Sequence, residues 1–339
     1  MITASVSTAN ATFYRGTLFV GLLLLAGISM AASSLPARAN RTSIGGVEYM
    51  RLNEWANSYN FQLRWTVPQR ELRLTGAWSS LAFATDSRRC QVGGVTVWLS
   101  HSVVVRNGSA WIATRDVVTA LNPILSPSRT PGRKIKTICI DPGHGGKDPG
   151  NRDGRQQEKT YTLLLARELS KQLSAAGFNV AMTRSSDTFI ELPTRPELAK
   201  RRRADLFLSL HFNAVGSPGG ASVEGAEVYC LTPPRASSTN ARGEGAGTGA
   251  FPGNQHDSKN MLLAYHMQKA LVYRLGAQDR GVKRARFAVL RSAEMPTVLI
   301  EGGFMTHPGE AKKIYDAAYQ RKMAAAIVEA VLAYRKAVE

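Results

Sequence analysis

Residues 139–159 read CIDPGHGGKDPGNRDGRQQEK, and their reading decides the fold of everything downstream. An apolar run with Ile135, Ile138 and Ile140 stops at Asp141. A loop with two prolines and five glycines then carries one histidine, His144. At Glu158 a helical pattern begins: Leu165, Leu169 and Leu173 recur at i, i+4 and i+8, and Gly177 closes it. A buried strand, a glycine-rich turn and a helix opening on a carboxylate are the first unit of a layered α/β domain.

The alternation continues outward. NVAMTR, LFLSLH, AEVYCL, FAVLR and TVLIE read as strands. Thr194 and Glu197 form a T-x-x-E capping box opening a short helix through Lys200–Arg203, a basic run read as a solvated turn. MLLAYHMQKALVYRLG reads as a helix, and another from about Tyr319 ends the chain. Between AEVYCL and MLLAYHMQ, residues 232–255 are rich in Gly, Ala, Ser and Pro, the composition of a mobile loop. The expected fold is α/β, a mixed sheet flanked by helices, over 135–339.

Upstream, residues 40–125 break into short alternating runs expected to form a smaller α+β domain. Two segments there look alike: VEYMRLNEWA and SAWIATRDVV each pass from a strand into a helix with an early acidic residue. Residues 126–134, with prolines and basic residues, read as a linker. Residues 1–39 place Arg15 before TLFVGLLLLAGISMAA and end at Ala37-Arg38-Ala39, the order of a secretory signal peptide cut after Ala39. Retention as an uncleaved anchor is the alternative; no cysteine stands near for lipidation. Export to the periplasm or the cell wall follows, with no membrane span once the signal is removed.

The chain carries 43 Lys and Arg against 25 Asp and Glu, a formal charge of +18, to which residues 1–39 contribute only Arg15 and Arg38. An exported protein this basic suits an anionic surface such as cell wall or acidic polysaccharide. No nucleic-acid motif accompanies the charge. Cys90, Cys139 and Cys230 are odd in number and unrelated in spacing, so no disulfide framework is implied.

Three strands end in reactive side chains: KTICI runs into Asp141 and His144, LFLSL into His211, and TVLI into Glu301. Ligands in open α/β sheets bind beyond the carboxyl ends of strands, so these groups and Glu158 converge on one crevice. Two His and one carboxylate with a further carboxylate nearby is a hydrolytic metal set, and first-row metals other than zinc suit the same ligands. His101, His256, His266 and His307 read as surface or packing residues.

The blocks DPGHGGKDPG, QEK, ELPTRPELAKRRRADLFLSLHFNA, GAEVY and DRGVKRARFAVLRSAEMPTVLIEGGFMTH occur in the order of the zinc-dependent N-acetylmuramoyl-L-alanine amidases, the amidase-3 family, which residues 135–335 resemble. The resemblance implies Zn2+ held by His144, Glu158 and His211, with Glu301 as the catalytic carboxylate. It implies peptidoglycan as substrate, cleaved between N-acetylmuramic acid and L-alanine, and it leaves room for a protein activator acting on a monomer. His307 stands where the family commonly has Asn, and the loop 232–255, with Glu244, stands where some relatives carry a regulatory insertion. Residues 40–125 resemble, in pattern, the N-terminal repeat unit of copper amine oxidases, an accessory in that family. A zinc peptidase or deacetylase on wall-derived substrates, a non-catalytic wall-binding protein, and an adhesin built on residues 40–125 are the competing readings.

Overall fold

The computed structural model describes residues 40–132, 134–216, 219–240 and 249–339. The expected signal peptide, 1–39, and Glu244 lie outside the described residues.

The centre is an eleven-stranded mixed sheet. In chain order its strands are β1 (Gln62–Val67), β2 (Glu71–Thr75), β3 (Ser80–Ala84), β4 (Arg89–Val92), β5 (Val95–Trp98), β6 (Thr137–Pro142), β7 (Asn179–Met182), β8 (Leu206–Asn213), β9 (Ala226–Leu231), β10 (Asp279–Ala285) and β11 (Thr297–Phe304). Across the sheet they run β7-β6-β8-β11-β9-β10-β5-β4-β3-β2-β1. β7, β6, β8 and β11 are parallel, β9 is antiparallel to β11, and β1–β5 form an antiparallel meander.

The apolar runs of β6, β8 and β11 are continuous because both faces are covered. Ile138, Ile140, Leu208, Leu210, Val298 and Ile300 point into the large core beneath helices α1 (Glu158–Ala175), α3 (Asp257–Leu275) and α5 (Ala317–Val338). Their alternates Cys139, Phe207 and Leu299 enter a smaller core with Ala199 of α2 (Thr194–Arg201) and Leu290. A period of two therefore puts Asp141, Ser209, His211 and Glu301 on the thinner face, at the carboxyl ends of their strands.

Several local expectations are corrected. FAVLR is not a strand: Ala288–Arg291 is a short helix, and the strand lies upstream, in the charged DRGVKRA. The charges hid it, since Lys283 and Arg284 are 5% and 1% exposed and find buried polar partners. The Thr194–Glu197 capping box does not form, because Pro193 occupies the cap and Glu197 bonds Arg201 instead. The loop 232–255 is held down where it is described: Thr239 N donates to Arg284 O, and Asn240 Nδ2 to the Tyr229 hydroxyl.

The 40–125 region joins the same sheet edge-on, with Val97 of β5 paired to Val282 of β10. Its two look-alike segments supply the strands Val47–Arg51 and Ser109–Ala113, which pair with each other in a separate four-stranded sheet. The expected linker, 126–134, follows directly on a short helix, Asn122–Leu125, and is then tied to α5 by Thr130 N to Val338 O. All three cysteines are buried and free. Among the described residues, no helix is long and apolar enough to cross a membrane.

Candidate metal centre

The turn after β6 places His144 at φ 62°, the left-handed region that a residue with a side chain rarely occupies. Two buried guanidinium groups hold that backbone. Arg195 donates through Nη1 to Asp141 Oδ1 (2.9 Å) and Pro142 O (3.0 Å), and through Nη2 to His144 O (2.9 Å). Arg184 donates to Pro142 O and Gly143 O at 2.9 and 2.8 Å. Asp141, fully buried, also accepts from Thr183 and Ser209, so its charge is neutralised and hydrogen-bonded throughout. Two glycines are required at close quarters: a Cβ on Gly143 would meet the His211 ring at 2.3 Å, and one on Gly150 would meet Glu158 Oε2 at 2.6 Å.

Glu158 opens α1 and is 1% exposed. Its Oε2 lies 3.0 Å from His144 Nε2, and its Oε1 lies 2.9 Å from His211 Nδ1. The backbone N–H groups of Asn151 and Phe212 donate to the same two oxygens. His144 Nδ1 faces Asp148 Oδ2 at 2.8 Å, which fixes the ring and leaves Nε2 aimed inward. Burial pushes the Glu158 carboxyl upward, but its bonds to His144 and His211 and their charges win and hold it well below the usual carboxylate range. Burial likewise pushes His144 down, and Glu158 and Asp148 outweigh it, leaving the imidazole above its ordinary value.

Glu301 stands beside His211 in register on the neighbouring strand. Its Oε2 is buried and has no hydrogen-bond partner among the described residues. Burial, then the charges of Glu158 and Glu227, raise its carboxyl far above the ordinary value, against a smaller pull from Lys283. Behind it Glu227, in register across β9, is satisfied by Arg280, Lys283, Tyr229 and Asn213. All four expected residues thus line one cavity of about 400 Å³, whose other wall is apolar, with Leu192, Phe287 and Val289.

The donor atoms of His144, Glu158 and His211 lie within 4.8 Å of one another, and two imidazole nitrogens with a carboxylate are the donor set a hydrolytic zinc takes. The orphaned Glu301 oxygen beside them suits a group that acts on whatever enters the cavity. His307 is not drawn in: it caps helix α4 (Pro308–Tyr315), its Nδ1 accepting from Glu310 N. Of the basic run, Lys200 pairs with Glu294 and Arg201 with Glu197, both at the surface. Arg184, Arg195 and Glu227 carry no spacing signal in the sequence, since the tertiary fold brings them to Pro142 and Gly143, to His144, and to Lys283. Asp148 is different, standing four residues from His144 in the same turn, where the sequence reading passed over it.

The family model for N-acetylmuramoyl-L-alanine amidase, Amidase_3, matches residues 138–333. The amidase AmiC of Neisseria meningitidis is 35% identical over 237 residues, covering 63% of this chain and 56% of that one. LytC of Bacillus subtilis is 33% identical over 70% of this chain and 41% of its own length. This chain thus spans about half of those two relatives. AmiA of Escherichia coli is 34% identical, with 66% and 84% covered. Among solved structures, an amidase from Clostridium difficile 630 is 33% identical with a TM-score of 0.50, over 60% of this chain and 97% of that one. AmiC2 of Nostoc punctiforme is 30% identical with a TM-score of 0.50, over 60% and 99%. With the family model spanning 138–333 and the strand ends, turn and helix start of that region building one His–Glu–His centre, the chain belongs to the N-acetylmuramoyl-L-alanine amidase family.

Proposed function

We propose that this chain is an exported zinc amidase that hydrolyses the amide between the lactyl group of N-acetylmuramic acid and L-alanine in peptidoglycan. The observation that carries the reading is the convergence of His144, Glu158 and His211 beside the unpartnered Glu301 carboxyl in one open cavity. His144, Glu158 and His211 would hold the metal. When bound, zinc supplies Lewis-acid polarisation of a carbonyl and of water.

The chain's own groups do the rest. Glu301 takes the proton of the attacking water and delivers it to the alanine nitrogen as the carbon–nitrogen bond breaks. The products are a lactyl carboxylate on the sugar and a stem peptide with a free α-amine. Asp148 and Arg195 keep the His144 ring and backbone aimed, and the apolar wall limits water beside the reacting amide.

Residues 1–39 act as the export signal in this reading, and residues 40–125 as an accessory unit. The test is chelation and reconstitution on purified sacculi. Release of peptide is expected to stop with chelator and return with zinc in the unmutated chain, while His211→Ala recovers nothing. Undiminished release after complete metal removal would overturn the zinc assignment.

A further inference from the structure

The accessory region carries a feature that the amidase centre does not use. Residues 40–125 contain nine arginines and no lysine. Arg64 of β1 and Arg73 of β2 are direct cross-strand partners, both exposed on the outer face of the meander. Like charges placed opposite each other destabilise a strand pair. Neither guanidinium has an ion pair or hydrogen bond to a described residue.

The face around them is polar. Alternation sends Leu63, Trp65, Leu72 and Leu74 inward and leaves Gln62, Glu71, Thr75, Arg89 and Gln91 outward with the two arginines, so the face carries three guanidinium groups against one carboxylate. In the middle of that face β3 presents only small side chains, Ser80, Ala82 and Ala84, with Ala82 directly between Arg73 and Gln91 in register. Trp78, in the turn joining β2 and β3, is 52% exposed but leans on the buried Phe61 ring, with centroids 5.6 Å apart, so it is not counted in this face. Paired guanidinium forks recognise carboxylates bidentately, and the amide and hydroxyl groups of Gln62, Thr75 and Gln91 beside them suit the hydroxyls of a sugar.

We propose that the outer face of β1–β4 binds glycan strands already stripped of their stem peptides, with Arg64 and Arg73 taking the lactyl carboxylates. The ligand's identity rests on the amidase reading above, because that reaction uncovers one carboxylate at each muramic acid. Intact wall, in which those carboxylates are amidated, offers the face less. Binding of product by a unit carried on the same chain holds the enzyme where hydrolysis has begun.

The experiment is co-sedimentation of full-length Glu301→Gln protein with sacculi, intact or stripped beforehand by a different muramoyl-L-alanine amidase. At least about five-fold tighter binding to stripped sacculi is expected, weakening with salt as exposed charge contacts do. Arg64→Gln/Arg73→Gln in the same background is expected to lose that preference with a melting temperature no lower than the parent's, since the like-charge pair is relieved, and Arg64→Lys/Arg73→Lys to keep only part of it. Equal binding to both substrates, or a preference that survives the Gln pair, would overturn the inference. Hydrolysis by the unmutated chain, measured in parallel, reports on the amidase reading separately.

Discussion

His144 is the residue on which the centre turns. A histidine at φ 62° is strained, and the surrounding structure over-determines it through Arg195, Arg184 and the Asp148 contact to its ring. Outer-shell partners of metal ligands typically contribute 10–100-fold to affinity. Asp148→Ala is therefore expected to weaken zinc binding by about that factor, read by competition with a chromophoric chelator, with the fold retained because Asp148 is partly exposed. Protonation competes with coordination, and His144 sits above the ordinary imidazole value, so zinc affinity is expected to fall with pH from above the usual histidine range. An affinity flat between pH 8 and pH 6 would contradict that reading. The four reactive residues were legible because each stands at a strand end or helix start in a strongly patterned segment. Their supports were not: Arg195 is 51 residues from the carbonyl it holds, and nothing local in ELPTRPELAK marks it as fully committed to the His144 turn.

At the level of elements, the strands buried on both faces were readable from their apolar runs, whereas β10 was not. DRGVKRA looks like surface, and only the acid waiting in β9, Glu227, makes Lys283 a core residue. Helix α3 opens four residues earlier than its apolar run, at Asp257, since the first turn needs no apolar face. Within it, burial, helped by Lys269, pushes His266 down to about 4. The unfolded chain binds that proton near the ordinary value, so between those two pH values the unfolded state is favoured as pH falls. The loss is on the order of 3 kcal/mol across the window. His266→Gln is expected to flatten the decline of melting temperature between pH 7 and pH 5. A decline identical to the unmutated chain's would place the acid sensitivity elsewhere.

For the whole molecule, the meander and the strands that carry His211 and Glu301 share one sheet, and one core runs from Trp55, Leu72 and Val97 to Leu208, Ile300 and Val331. Composition divided the chain at the proline-rich stretch 126–134, and no local pattern reveals that β5 docks on β10, because that pairing joins residues about 185 positions apart. A fragment of residues 134–339 leaves β10 as an open edge and uncovers apolar side chains beneath β5. It is expected to melt at least about 10 °C lower than the 40–339 chain, or to aggregate. An equal melting temperature would show the meander to be energetically separate.

The most direct test of the account is mass spectrometry of what zinc-loaded 40–339 protein releases from purified sacculi, run beside Glu301→Gln. Intact stem peptides with a free α-amine on L-alanine are expected from the unmutated chain. Glu301→Gln is expected to release them at least about 100-fold more slowly while binding zinc as well, as loss of a general base requires. Fragments cut within the peptide or the glycan, or undiminished release by Glu301→Gln, would contradict it.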